Sequence, residues 1–335
     1  MTSSLVGSEM CIRDSTDSVA GDDLYLSIDA DLQKATYLAL QNEIAAIVYS
    51  NIKSGEIPIN DVYTALIGNS VINTEHFSKS KASDTEKSVL SVFKSRQKTT
   101  LGKIKQELTS SPEALNTMSD EVLDEFTYII SMLKDDQVLL KNEIDTSDSV
   151  YQKWKDQKIS PKEYLNYCIT QHWIDISQLN VDEKYADSTE VYDALCKYIL
   201  KNIKTDTEFS KIIYQYMITR GEISPRQLCL ILFDQGVLDY DDATVNKLKN
   251  GSLSPRDFLM KKIYNIEITP AQLALEPCIG SCVVTDEKTG EIRAMVSYPG
   301  YDSNKLANGV DSEYFASLQL SLIHISEPTR LDVIS

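Results

Sequence analysis

Cys282-Val-Val-Thr-Asp-Glu-Lys-Thr-Gly-Glu-Ile-Arg-Ala-Met-Val-Ser-Tyr-Pro299 is the stretch on which the fold turns. Two runs rich in β-branched and apolar residues, 281–286 and 291–297, flank a polar turn that ends in Gly290. Period-two alternation on both sides of such a turn predicts an antiparallel β-hairpin. The sequence Tyr298-Pro-Gly-Tyr-Asp302 then ends it, since proline cannot donate to a ladder.

Far upstream, Leu24-Tyr-Leu-Ser-Ile28 alternates in the same way and predicts a short strand. Asp29 can cap a following helix by accepting first-turn N–H groups. Leu32, Ala35, Ala39, Leu40, Ala46 and Ile47 fall on one face of that helix, which is expected to run to about Tyr49. Between these two β segments, residues 51–268 read as almost wholly helical. Five hydroxyl–proline pairs punctuate the region: Ser111-Pro112, Ser160-Pro161, Ser224-Pro225, Ser254-Pro255 and Thr269-Pro270. Each sets a capping hydroxyl before a proline whose missing N–H would be unpaired in a first turn anyway. Their spacing is irregular, so they read as shared punctuation and not as a repeat. A long helix is expected over 84–108, striped by Leu90, Phe93, Leu101, Ile104 and Leu108. Others follow at 119–134, 189–203, 206–219 and 224–234, with charged residues on solvated outer faces. The fold class is therefore α+β, predominantly helical: a helical bundle on a small antiparallel sheet.

Composition narrows the function classes. A net charge of −17 and a pI near 4.6 argue against a nucleic-acid partner, which requires a basic face. No apolar run reaches the length of a membrane span. Cys11, Cys168, Cys196, Cys229, Cys278 and Cys282 lack zinc-site spacing and read as small buried hydrophobes. Asp239, Asp241 and Asp242 lack the calcium-loop pattern and read as a helix cap. Trp154 and Trp173, with Tyr151, Tyr164 and Tyr167, read as core or groove residues of the bundle and not as a ligand cage.

Three pieces resemble the transpeptidase domain of class B penicillin-binding proteins. Leu24-Tyr-Leu-Ser-Ile-Asp-Ala-Asp-Leu-Gln33 resembles its opening strand and helix, and Cys282–Pro299 the first hairpin of its central sheet. Tyr301-Asp-Ser-Asn304 resembles the segment that leaves that hairpin toward the active site. The resemblance implies a fold in which 24–28 lies near the hairpin and residues 51–268 are a large helical insertion. It implies an intact parent that acylates a serine with D-Ala-D-Ala stem peptides, cross-links peptidoglycan and is trapped by β-lactams. Such a parent works outside the cytoplasmic membrane, held by an anchor that this chain lacks. Contacts with other cell-wall synthesis proteins would run through the insertion; the alternative reading is a non-catalytic helical interaction module.

The family's chemistry needs Ser-x-x-Lys, Ser-x-Asn and Lys-Thr-Gly signatures, with the serine after the hairpin. Ser50/Lys53, Ser78/Lys81, Ser91/Lys94, Ser95/Lys98 and Ser131/Lys134 have the first spacing but precede the hairpin. Lys288-Thr289-Gly290 spells the third, yet falls in the hairpin turn. No residue of this chain is therefore assigned a catalytic, cofactor or metal role. Leu5–Ser15 and Ser321–Arg330 resemble translated sequencing-adapter DNA, so residues 1–15 and 320–335 are set aside as artefactual tails, and residues 1–18 and 320–335 are expected to be poorly ordered. The divisions are then 16–50 for the start of the transpeptidase domain, 51–268 for the insertion, and 269–319 for a helix and the first hairpin.

Overall fold

The structure, a computed structural model, describes residues 25–110, 113–179, 181, 187–301, 305, 306, 312 and 315. The two tails, Ser111-Pro112 and most of the Tyr301–Asn304 segment lie outside these residues. What is described is predominantly helical, with one two-stranded antiparallel sheet.

Helix α1 (Ala30–Ser54) begins at Asp29, whose carboxylate accepts the Leu32 N–H at 3.0 Å, and stops at Gly55 with φ +90°. It is longer than its apolar spacing predicts and crosses the 50/51 division without a break. Its buried face also differs from the expected one. Leu32, Ala35, Ala39 and Ile47 are exposed, whereas Ile44, Ala45, Val48 and Ile52 are buried. The first turns press Gln33 and Tyr37, polar-tipped residues, against the sheet, and that rotates the aliphatic stripe outward.

Helices α2 (Ile59–Gly68), α3 (Asp84–Thr109), α4 (Asp120–Asp135), α5 (Ser149–Lys155) and α6 (Pro161–Thr170) follow. Then come α7 (Ser188–Ile203), α8 (Thr207–Thr219), α9 (Pro225–Asp234), α10 (Asp242–Asn250), α11 (Pro255–Tyr264) and the short α12 (Pro270–Leu273). Ser160, Ser224, Ser254 and Thr269 each accept an N3 N–H with proline at the first helical position, as the punctuation predicts. One core joins the bundle. At its centre Phe93 stacks on Tyr214 (centroids 4.2 Å apart), with Phe77 edge-on at 5.9 Å. The solvated-face reading fails at three acids. Glu86, Glu121 and Glu125 are buried, each on a helix whose neighbours supply polar partners or cations.

The reading of irregular punctuation is corrected by the backbone. Left-handed residues stand fifteen apart at Gly221, Gly236, Gly251 and Ile266, and again at Gly55/Ser70 and Gln157/His172. In each case the second residue onward is Ile or Leu, and the next one opens the following segment. Ile57, Ile72, Ile223, Leu238, Leu253 and Ile268 each return an N–H to the carbonyl six residues back. This closes the preceding helix as an extended Schellman turn. Helices α2, α6, α9 and α11 are all ten residues long and end two residues before their left-handed position. The region is thus partly built from a fifteen-residue unit of helix, left-handed turn and aliphatic plug.

Strands β1 (Gly280–Thr285) and β2 (Ile292–Tyr298) form the expected hairpin, with a bulge at Val284/Thr285. Ala294, Val296 and Tyr298 are buried on α1, and Tyr298 meets the Tyr37 ring at 5.9 Å. Gly280 permits this approach, because a Cβ there would lie 3.1 Å from Ile44 and 3.2 Å from Leu40.

The strand predicted at 24–28 does not form. Leu24 is outside the described residues, and 25–28 are irregular, with Tyr25 and Leu26 exposed. They nevertheless lie beside β2, since Ser27 Oγ donates to the Ile292 carbonyl (2.7 Å) and the Asp29 N–H to that of Arg293 (2.9 Å). The ladder goes no further because Gln33 occupies the rest of that edge. Its Nε2 donates to the Met295 carbonyl and its Oε1 accepts the Met295 N–H, both at 2.7 Å, so one amide stands in for a strand residue. Gln33→Ala is expected to cost about 1–2 kcal/mol and to speed hydrogen exchange at the Met295 amide. An unchanged Met295 exchange rate would refute this role.

Candidate functional site

The structure disperses the Ser-x-x-Lys pairs. Ser50/Lys53 lie on α1, Ser91/Lys94 and Ser95/Lys98 on α3, and Ser131/Lys134 on α4, while Ser78 ends a 3-10 turn (Thr74–Ser78) and Lys81 follows it. All five serines are exposed, and none sits in a cleft with its lysine. Lys288-Thr289-Gly290 forms the hairpin turn: Asp286 Oδ1 accepts the Lys288 and Thr289 N–H groups, and Gly290 takes φ +74°. Asp241 caps α10, accepting from Ala243 and Thr244. Trp154 stacks on Tyr164 at 4.4 Å, and Trp173 meets Tyr167 edge-on. Cys168, Cys196 and Cys229 are buried, and burial pushes the Cys168 and Cys229 thiols up to about 12 and that of Cys196 to about 11. Cys278 and Cys282 are half-buried and unbridged. Among the described residues no three His, Cys, Asp or Glu side chains converge as metal ligands.

Two polar networks are buried between helices. Glu86 accepts the Ser83 N–H (2.7 Å), Gln235 Nε2 (2.8 Å) and a contact from His76 Nδ1 (2.7 Å), tying α3 to α9. Burial raises its pKa, but these bonds outweigh burial and hold it below the usual range. On α4, Glu121 takes Arg96 of α3 at 2.9 and 3.1 Å and Arg220, which follows α8, at 2.6 Å. One turn on, Glu125 is pushed up to about 8 by burial and then by the Glu121 carboxylate, against the pull of Lys103 and Arg96. The carboxylates at the centre of both networks are buried, while His76 and Arg220 at their margins keep some exposure to solvent.

Among the described residues, a groove of about 570 Å³ with mixed chemistry opens between the end of α1 and α11, and a second of about 660 Å³ lies along α7, lined by Glu190, Asp193, Lys197 and Lys201. The wall of the first is Tyr49 and Tyr264, ring centroids 5.1 Å apart, with Met260. Lys53, Arg256, Lys261 and Asp257 complete the lining. Helical spacing explains the grouping: Tyr49 and Lys53 are i, i+4 on α1, and Asp257, Lys261 and Tyr264 share one face of α11. Arg256 Nη2 donates to the Ile52 carbonyl at 3.2 Å, a last-turn group of α1 left without a helical partner. Sequence reasoning missed this site because it pairs two distant helices; its only local signal is a tyrosine one turn from a lysine on each. A groove of this size, apolar on its wall and cationic at its rim, is suited to binding and carries no nucleophile–base pair. No family model, no curated protein and no solved structure matches this chain.

Proposed function

We propose that this chain is a piece of a class B penicillin-binding transpeptidase, carrying a large helical insertion and itself catalytically inert. The hairpin carries the reading. Met295 turns its N–H and C=O outward to Gln33, so Val283, directly opposite, turns its own backbone groups to the outer edge of β1. That edge pairs with no strand among the described residues, and Val283, Met295 and Ile279 are exposed beside it. An open edge flanked by apolar side chains supports a sheet that continues. In the intact parent a serine from a Ser-x-x-Lys motif would attack D-Ala-D-Ala stem peptides, or β-lactams, outside the cytoplasmic membrane. No helix of the described residues is long and apolar enough to cross a membrane, so an anchor would lie elsewhere.

Incubation with a fluorescent penicillin is expected to leave this chain unlabelled. A chain extended with the genomic sequence downstream of Gln319 is expected to be labelled at a serine within a few tens of residues. Adduct on Ser50, Ser78, Ser91, Ser95 or Ser131, or a stop codon at that point, would sink the assignment. The second reading, a helical module that docks a cell-wall synthesis partner, is favoured by the α1/α11 groove.

A further inference from the structure

We infer that the α1/α11 groove binds an acidic peptide segment bearing an aromatic side chain. Charge carries the first half of the argument. The chain has 50 acidic and 33 basic side chains, yet this groove gathers three cations and one acid. Lys53, Arg256 and Lys261 form no ion pair among the described residues, unlike Arg96, Arg220 and Lys211. Asp257 makes no ion pair with them among the described residues, its carboxylate accepting the Ser254 hydroxyl at 2.7 Å, and one acid leaves the lining with a net positive charge. Arg256 is held by the Ile52 carbonyl, so part of the cost of fixing a long side chain is already met before a ligand arrives. At physiological salt, screening over about 8 Å leaves these near charges, and not the acidic body, to decide short-range binding.

Shape carries the second half. Tyr264 is 57% exposed, an aromatic ring held against Tyr49 with its other face open. Two rings and Met260 form a wall on which a planar side chain can stack. A volume of about 570 Å³ accommodates a few side chains but not the face of a globular partner. A polyphosphate or nucleic-acid strand fits less well, since three cations match only a few of its phosphates.

The test uses the full chain and a fluorescein-labelled octapeptide of alternating glutamate and tyrosine, followed by anisotropy. Saturable binding is expected, with loss to the alternating glutamine–tyrosine peptide and to octaglutamate. Lys53→Glu combined with Lys261→Glu is expected to abolish it. Tyr264→Ala is expected to weaken it at least tenfold, and Lys261→Arg to retain it. Lys53, Lys261 and Tyr264 are exposed, and unchanged thermal unfolding would verify that each variant folds. Absence of binding, equal affinity for octaglutamate, equal competition by polyphosphate, or indifference to the groove variants would each overturn the inference.

Discussion

Glu121→Ala is expected to destabilise the bundle by about 3 kcal/mol, read as a lower urea midpoint at an unchanged slope. The mechanism is the orphaning of cations. Glu121 is 3% exposed and, among the described residues, is the only carboxylate bonded to both Arg96 and Arg220, so its loss removes one polar tie from α4 to α3 and another to the end of α8 together. The value sits at the low end of the range for a broken buried pair for two reasons. Arg220 can reach water, and Arg96 keeps Glu222 at 3.5 Å. Glu121→Gln preserves shape and one acceptor, so it should fall between wild type and alanine. A change below about 1 kcal/mol for alanine would show that the network contributes little.

The second large effect has the opposite sign. Glu125→Gln is expected to stabilise the protein at neutral pH by roughly 3 kcal/mol, at about 1.4 kcal/mol per unit of pKa displacement. Folded Glu125 titrates near 8 against an ordinary 4.5, so between these values the folded state holds a proton that the unfolded state has lost. Stability contributed at this site is therefore intact below pH 4.5 and falls as pH rises toward 8. Other acids slope the other way at low pH. Glu86, Asp148, Asp175 and Asp241 are held below their usual range by hydrogen bonds, and their contribution fades on acidification. The useful quantity is thus the difference between wild type and Glu125→Gln, measured by urea unfolding from pH 4 to 9. It should widen with pH; a flat difference would dismiss the buried-acid account. Because the Glu121 charge contributes to the Glu125 shift, the two substitutions should not add.

Much of the helical fold was legible because its signals are local. Ser160, Ser224, Ser254 and Thr269 announce their helices through a hydroxyl followed by proline, and the residues from Thr285 to Ile292 announce a turn. Four things were hidden. The fifteen-residue unit is hidden because its left-handed position is glycine at 55, 221, 236 and 251 but Ser70, Gln157, His172 and Ile266 elsewhere. The buried faces of α1 and α4 carry Gln33, Glu121 and Glu125, residues that read as solvated until their partners on other elements are known. Tyr25 and Leu26 alternate like a strand, but nothing in the sequence tells that Gln33 already fills the edge they would need. The groove depended on the same long-range information, the pairing of Tyr49 with Tyr264.

The fifteen-residue unit bears on how this region can change in length. Gly221-Glu-Ile-Ser-Pro-Arg226 and Gly251-Ser-Leu-Ser-Pro-Arg256 share the same joint thirty residues apart. Unequal crossing-over that fused Ile223 to Ser254 would recreate a left-handed residue, an aliphatic plug, a capping serine and a proline in sequence. The joint survives the exchange, so relatives of this chain are expected to differ by whole helix pairs, in the manner of a tandem array. Insertions of other lengths would break the turn on which each helix closes.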